Sequence, residues 1–282
     1  MKLSNILVGS ETHVALLTER GVVDATAAGL GLGLDEVVAG KGRVILEKIA
    51  ADPSLPAFDE KVCRFTNLIT RPAKILCVGL NYSEHAANCG EKTTAKPTIF
   101  SKFPDSLSCE GAQIPLPAWE TSYDYEAELV IVMGKDAWNV SEEEVSDCIF
   151  GYTCGNDLSI REAQMRTSQW LIGKAWKDSG PCGAWITTAD SFDPAEPHAV
   201  RCYVNGQRRQ DGLTSQMIFR CSELVSYISR YIPLVPGDLI FSGTPSGVIA
   251  EKKPEDRVWL KAGDTVTVEI EGLGSLTNLL IS

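Results

Sequence analysis

Apolar positions in this chain cluster in short runs of β-branched and aromatic residues, with polar or turn-forming residues between one run and the next. T-I-F-S-K-F (98–103), E-L-V-I-V-M-G (128–134), C-I-F-G-Y-T-C-G-N-D (148–157), R-C-Y-V-N-G-Q (201–207), D-L-I-F-S-G-T (238–244) and T-V-T-V-E-I-E-G-L (265–273) read as strands. Helical spacing is rarer, over 141–148, 159–166 and 221–231; Ser141 with Glu144 makes a capping box for the first, and Pro233 stops the third. Many short strands with few crossover helices predict a β-rich α+β fold rather than a doubly wound sheet. Near the N-terminus, H-V-A-L-L, a turn at Glu19-Arg20-Gly21 and G-V-V-D predict a hairpin, followed by a short helix over Val44–Ala51. The Pro-containing stretch Ala51–Arg71 reads as a linker into a strand over Lys74–Leu80. The expected organisation is a small β-containing N-terminal domain over 1–68 and a main domain over 69–282.

One run breaks its own pattern. Y-D-Y-E-A-E-L-V-I-V-M-G (123–134) reads as a buried strand, yet Glu126 and Glu128 sit two positions apart and so point to the same face. Paired carboxylates resist burial unless positive charge lies between them, and a divalent cation is the simplest source. Asp157, where a strand gives way to a helix, is a third candidate ligand; alone, it would read equally well as a helix cap. Three carboxylates with no neighbouring His or Cys form an all-oxygen site suited to Mg²⁺, Mn²⁺ or Ca²⁺ rather than zinc.

Net charge of −11 and a pI near 4.9 argue against nucleic acid or an anionic membrane as partner. An anionic small-molecule substrate would then need local positive charge, for which Lys102, Arg161 and Lys174 are candidates. Lys174 is flanked by apolar and aromatic residues, which suggests burial and a lowered pKa, or else a snorkelling surface amine. Of three histidines, His85 lies in a polar segment after a strand and is the candidate base. Nine evenly spread cysteines, with no C-x-x-C pair, argue against a disulfide framework and a zinc knot. G-L-G-L-G-L (29–34) and Gly243–Gly247 fit neither a dinucleotide fingerprint nor a phosphate loop. No window has the apolar length of a membrane span and the start of the chain does not read as a signal peptide, so the expected compartment is cytoplasmic.

Six motifs in order, N-Y-x-x-H (81–85), D-Y-E-A-E-L-V-I-V-M-G-K (124–135), G-Y-T-C-G-N-D-L-S-I-R-E-x-Q (151–164), Q-W-L-I-G-K (169–174), S-Q-M-I-F (215–219) and P-G-D-L-I-F-S-G-T-P-S-G-V (236–248), resemble the fumarylacetoacetate hydrolase family. The resemblance runs from Ile75 to Leu280. It extends to the subgroup of acylpyruvate hydrolases, oxaloacetate decarboxylases and hydroxyheptadienedioate isomerases. It implies a mixed β-sandwich or roll, usually a homodimer, with Mg²⁺ or Mn²⁺ on Glu126, Glu128 and Asp157. It also implies a general base at His85 on a lid, and substrate contacts at Gln164, Lys174 and Thr244. In many family hydrolases a Glu follows the lid histidine by three residues; Asn88 stands there, and Glu84 and Glu91 are nearby substitutes. The lid itself is expected over Cys89–Pro97.

The implied chemistry starts from a 2-oxo acid chelating the cation. Water activated by His85 would then cleave a 1,3-diketo acid of the acylpyruvate or fumarylpyruvate type, releasing a pyruvate enolate held by the cation and Lys174. The same enolate serves a decarboxylase, lyase or keto–enol isomerase acting on a 2-oxo dicarboxylate such as oxaloacetate. A non-catalytic module holding structural Ca²⁺ would leave His85 and Lys174 without a role.

Overall fold

The computed structural model describes residues 1–88, 90 and 95–282. At its centre is β9 (Ala127–Met133), all seven of whose residues are buried. A strand covered on one face alternates apolar with polar; from Leu129 to Met133 β9 is continuously apolar because both faces are covered, and Glu128 is its one charged residue. Leu129, Ile131 and Met133 enter one apolar cluster, and Val130 and Val132 enter another.

A nine-stranded sheet surrounds β9. On one side lie β10 (Ile149–Asn156), β13 (Ile186–Thr188), β1 (Lys2–Val8), β2 (Glu11–Thr18) and β3 (Gly21–Asp24). On the other lie β16 (Leu239–Phe241), β4 (Ile75–Gly79) and β5 (Thr98–Lys102). Only β16 and β4 run parallel; the remaining neighbours are antiparallel. A five-stranded sheet packs its apolar side on the first cluster, in the order β15 (Gln207–Leu213), β14 (Ala199–Val204), β17 (Thr265–Ile270), β18 (Gly274–Ile281) and β7 (Gln113–Pro115). Two short ladders join β6 (Leu107–Ser108) to β12 (Gly180–Pro181) and β8 (Tyr123–Asp124) to β11 (Ser159–Ile160). The architecture is the β-rich α+β fold expected from the strand pattern, with the two packed sheets that the family resemblance implied.

Helices cover what the sheets leave open. Leu224, Val225 and Ile228 of α6 (Cys221–Ser229) enter the first cluster, while Leu34, Val37, Leu46 and Ile49 from α1 (Leu34–Val38) and α2 (Arg43–Ala51) enter the second. Three short helices, α3 (Ser83–Asn88), α4 (Arg161–Met165) and α5 (Leu171–Lys174), frame the site described below. The expected helix over 141–148 shrinks to a single 3-10 turn at Val145–Asp147. The Glu144 carboxylate still accepts from the Ser141 amide at 2.8 Å. The segment V-S-E-E-E-V-S-D has too few apolar positions to give a longer helix a buried face.

The first 68 residues do more than form a hairpin. β1, which has no alternating signature, pairs with β13 through Lys2–Thr187 and Leu3–Ile186 and so carries the hairpin into the main sheet. Its buried Asn5 is tolerated because the side-chain amide donates to the Asn67 and Leu68 carbonyls at 2.9 and 3.2 Å. Leu3, Val14 and Leu16 share one apolar cluster with Val130, Val132 and Phe241, so a sheet and a core both cross the junction near residue 68. Deleting residues 1–68 would therefore open the β13 edge and uncover that cluster. The remaining 69–282 segment is expected to be aggregation-prone and to lose the sharp thermal transition of the full chain; calorimetry showing an undiminished cooperative transition for a soluble segment would contradict this.

Candidate active site

Where β9 begins and β10 ends, the register sets Glu128 opposite Gly155. A Cβ at Gly155 would lie 2.5 Å from a Val130 methyl and 2.7 Å from the Phe241 ring, so only glycine lets these strands and that ring meet there. The chain then turns at Asp157, which stands between β10 and β11 rather than capping α4; its side chain is directed into the site. Glu126, Glu128 and Asp157 are all buried, and each offers a carboxylate oxygen within 4.8 Å of the other two.

Most of this charge is paired. Lys174 Nζ donates to Glu126 Oε2 at 2.7 Å and to Asp157 Oδ2 at 2.9 Å. Arg161 Nη1 lies 2.7 Å from Glu126 Oε1, and Lys102 Nζ donates to Asp157 Oδ1 at 2.6 Å and to the Lys174 carbonyl. Glu128 differs: its Oε2 accepts from the Gly243 amide at 2.7 Å, and it has no ion-pair partner among the described residues. Gly243 holds a φ of +99°, and a Cβ there would come within 2.8 Å of the Asn81 Cβ. Asn81 straps the ends of β4 and β16 together by donating to the Ser242 carbonyl at 2.7 Å.

Electrostatics follow from these contacts. Burial pushes the Glu126 carboxyl up, but Lys174, Arg161 and His85 more than offset it and hold the group below the usual carboxylate range. Burial, with Asp157 and Glu126 alongside, pushes Glu128 well above that range. Lys174 is buried as its flanking residues suggested, yet its pKa is raised rather than lowered: burial works downward, and Asp157 and Glu126 outweigh it. The all-oxygen donor set, and a buried Glu128 with no ion-pair partner among the described residues, fit a hard divalent cation such as Mg²⁺, Mn²⁺ or Ca²⁺.

A cavity of about 360 Å³ opens onto this cluster. His85, Glu126, Arg161, Gln164, Lys174 and Thr244 contribute to its polar lining together with Glu162 and Arg257, and Phe100 and Trp170 are among the apolar part. Gln164 accepts from Arg161 Nη1 at 3.1 Å, and the Thr244 hydroxyl donates to the Ala127 carbonyl at 2.9 Å. Lys102, expected to meet substrate, does not line the cavity; its amine is spent on Asp157 and the Lys174 backbone behind it.

His85 lies on α3 and is buried, with Nδ1 2.5 Å from Glu251 Oε1. Glu251 Oε2 in turn accepts from the Asn88 amide at 3.2 Å and the Gly247 backbone N–H at 2.8 Å. The carboxylate partner of His85 thus comes from a 3-10 turn at Ile249–Glu251, and Asn88 fastens it. Glu84 is exposed and has no such role. Glu91, and most of the expected lid over Cys89–Pro97, lie outside the described residues. Asp124, in the motif that carries Glu126, has a role that no local signal in the sequence marks. It is fully buried and accepts four donors at 2.9 Å: the amides of Tyr125, Ile249 and Ala250, and Arg161 Nε.

Residues 74–281 match the family model described as fumarylacetoacetate (FAA) hydrolase C-terminal. The chain belongs to the fumarylacetoacetate hydrolase family. It is 42% identical over 218 residues to a fumarylacetoacetate hydrolase domain-containing protein 2 homolog of Dictyostelium discoideum, covering 73% of this chain and 71% of that one. It is 35% identical over 246 residues to the human protein named oxaloacetate tautomerase FAHD2A, mitochondrial, covering 86% and 77%. Among solved structures, fumarylacetoacetate hydrolase from Exiguobacterium antarcticum superposes with a TM-score of 0.88 at 30% identity, over 100% of this chain and 99% of that one. The family is one of enzymes acting on small molecules. No helix among the described residues is long and apolar enough to cross a membrane.

Glu128 yields a test with two opposite signs. Glu128→Gln keeps an acceptor for the Gly243 N–H but removes a buried carboxyl whose ionised form has no ion-pair partner among the described residues, so the metal-free variant is expected to be more stable than wild type, by about 1–3 kcal/mol. A carboxyl whose folded pKa is raised contributes stability that is fully present below its unfolded value, near 4.3, and lost as pH rises through the folded pKa. The gap between variant and wild type should therefore widen as pH rises above the ordinary carboxylate range. Mn²⁺ should raise the Tm of wild type and leave that of the variant unmoved; equal Mn²⁺ shifts in both would remove Glu128 from the ligand set.

Proposed function

We propose that this protein interconverts the keto and enol forms of a 2-oxo dicarboxylate of the oxaloacetate type, with a divalent cation held by Glu126, Glu128 and Asp157. The carrying observation is that His85, backed by Glu251, shares one cavity with the Lys174–Arg161–Glu126 cluster. Enolisation needs a base to take a proton from the carbon beside a keto group, and positive charge where the oxygen becomes negative. When bound, the cation supplies part of that positive charge and polarises the keto group. Lys174 and Arg161 supply the rest from the same wall. His85 takes the proton from carbon and returns it to oxygen, and Glu251 orients the ring through Nδ1 and stabilises its charged form. Phe100 and Trp170 limit water beside the developing charge. Similarity to proteins named oxaloacetate tautomerase supports this choice.

Hydrolysis of the carbon–carbon bond of an acylpyruvate is the second reading. It is favoured by the same His85–Glu251 pair, which can equally take a proton from water, and by likeness to the Exiguobacterium hydrolase. Decarboxylation would use the cation cluster alone. A homodimeric assembly goes with either.

With Mg²⁺ or Mn²⁺ present, the wild-type protein should accelerate loss of the oxaloacetate enol absorbance without matching release of pyruvate. Pyruvate released in step would indicate decarboxylation, and cleavage products from an acylpyruvate panel would favour hydrolysis. No acceleration with oxaloacetate sinks the proposal. His85→Ala is expected to lower the tautomerisation rate ~10²–10⁴-fold. Glu251→Gln should lower it by about 10–100-fold, chiefly in kcat.

A further inference from the structure

Three cations, Lys102, Lys174 and Arg161, are matched to buried carboxylates within the cluster. Arg257 lines the same cavity and, among the described residues, has no carboxylate partner. It is nevertheless held in place. Nε donates to the Lys252 carbonyl at 2.9 Å, Nη2 donates to the Ala250 carbonyl at 2.8 Å, and the guanidinium carbon lies 5.7 Å from the centre of the Trp259 ring. Two backbone carbonyls and a ring face restrain the group without neutralising it. A restrained, planar, permanently charged fork suits a carboxylate, and little side-chain entropy remains to be lost when one arrives.

We infer that Arg257 receives the distal carboxylate of the substrate and so selects dicarboxylic over monocarboxylic 2-oxo acids. The inference rests on the function proposed above, since it takes the 2-oxo carboxylate end to lie at the Glu126–Lys174 cluster. It adds that the second charge of the substrate meets the one cavity-lining cation, among the described residues, left without a protein carboxylate. The alternative role for Arg257 is purely structural: a staple across the 250–257 turn, whose loss would loosen Glu251 and lower turnover of every substrate alike.

Arg257→Gln separates the two, because an amide can still donate to the turn carbonyls but carries no charge. For oxaloacetate the variant is expected to raise KM about 10–100-fold with kcat within about twofold of wild type, the size of one charge-assisted pair. Solvent deuterium exchange into 2-oxobutyrate, a monocarboxylate, should be unchanged. Arg257→Lys should recover part of the loss. Equal losses on both substrates, a fall in kcat alone, or no change on either would overturn the inference. A second measurement stands apart from turnover: the Mn²⁺-loaded wild type should gain more Tm from 2-oxoglutarate than from 2-oxobutyrate, and Arg257→Gln should erase that difference. If wild type binds the diacid preferentially through Arg257 yet enolises no 2-oxo acid, the proposed reaction fails and the carboxylate site stands. If mono- and diacids shift wild type equally, the site fails whatever the reaction.

Discussion

Four carboxylates, Asp124, Glu126, Glu128 and Asp157, are buried within a few residues of one another along the chain or across the β9–β10 register. Unpaired, each would cost several kcal/mol to bury, so the surrounding structure is obliged to bring opposite charge to them. β5 brings Lys102, α4 brings Arg161 and α5 brings Lys174. Helices of five and four residues have no stability of their own. Their positions are set by these ion pairs and by close packing at Gly173, where a Cβ would lie 2.4 Å from the Gln164 amide nitrogen. The charge cluster therefore anchors both short helices that wall the cavity.

Asp124 extends the same logic to the opposite wall. One of its oxygens accepts from Arg161 and from the Ala250 amide, the other from the Ile249 amide, so a single buried carboxylate ties the cation side of the site to the 249–257 turn. That turn carries Glu251, which holds His85, and Arg257, which hangs from its carbonyls. The proposed base and the proposed carboxylate receptor are thus positioned by one loop, and the loop by one aspartate. Any change that loosens Asp124 should be felt at both.

Legibility in the sequence tracked how local each signal was. β9 could be read because a continuous apolar run survives in the linear pattern, and Glu126 and Glu128 stood out against it. Fitting Asp157 to them took the ordered motifs, and the structure brings all three together. Glu251 left no trace: A-E-K-K-P-E-D-R reads as a solvated charge run, and its partner His85 lies 166 residues away. The sequence offers Glu84 and Glu91 as substitutes for the glutamate that Asn88 replaces; in the fold Asn88 itself holds the replacement carboxylate, Glu251. Lys102 was misplaced for a related reason. Its motif marks a cation near the site, and only the packing of β5 decides that its amine points behind Asp157 rather than into the cavity.

By itself the sequence determined the class of fold, the carboxylate triad and the family, because strand periodicity, like-charge proximity on one strand and ordered motifs are all properties of neighbouring residues. Tertiary structure alone decided what lies across the cavity from that triad. The His85–Glu251 pair, the Asp124 tie, the direction of the Lys174 shift and the unneutralised charge of Arg257 depend on which side chains meet after long loops close. No spacing along the chain encodes those meetings; they follow from where buried charge must find its complement once the sheets have packed.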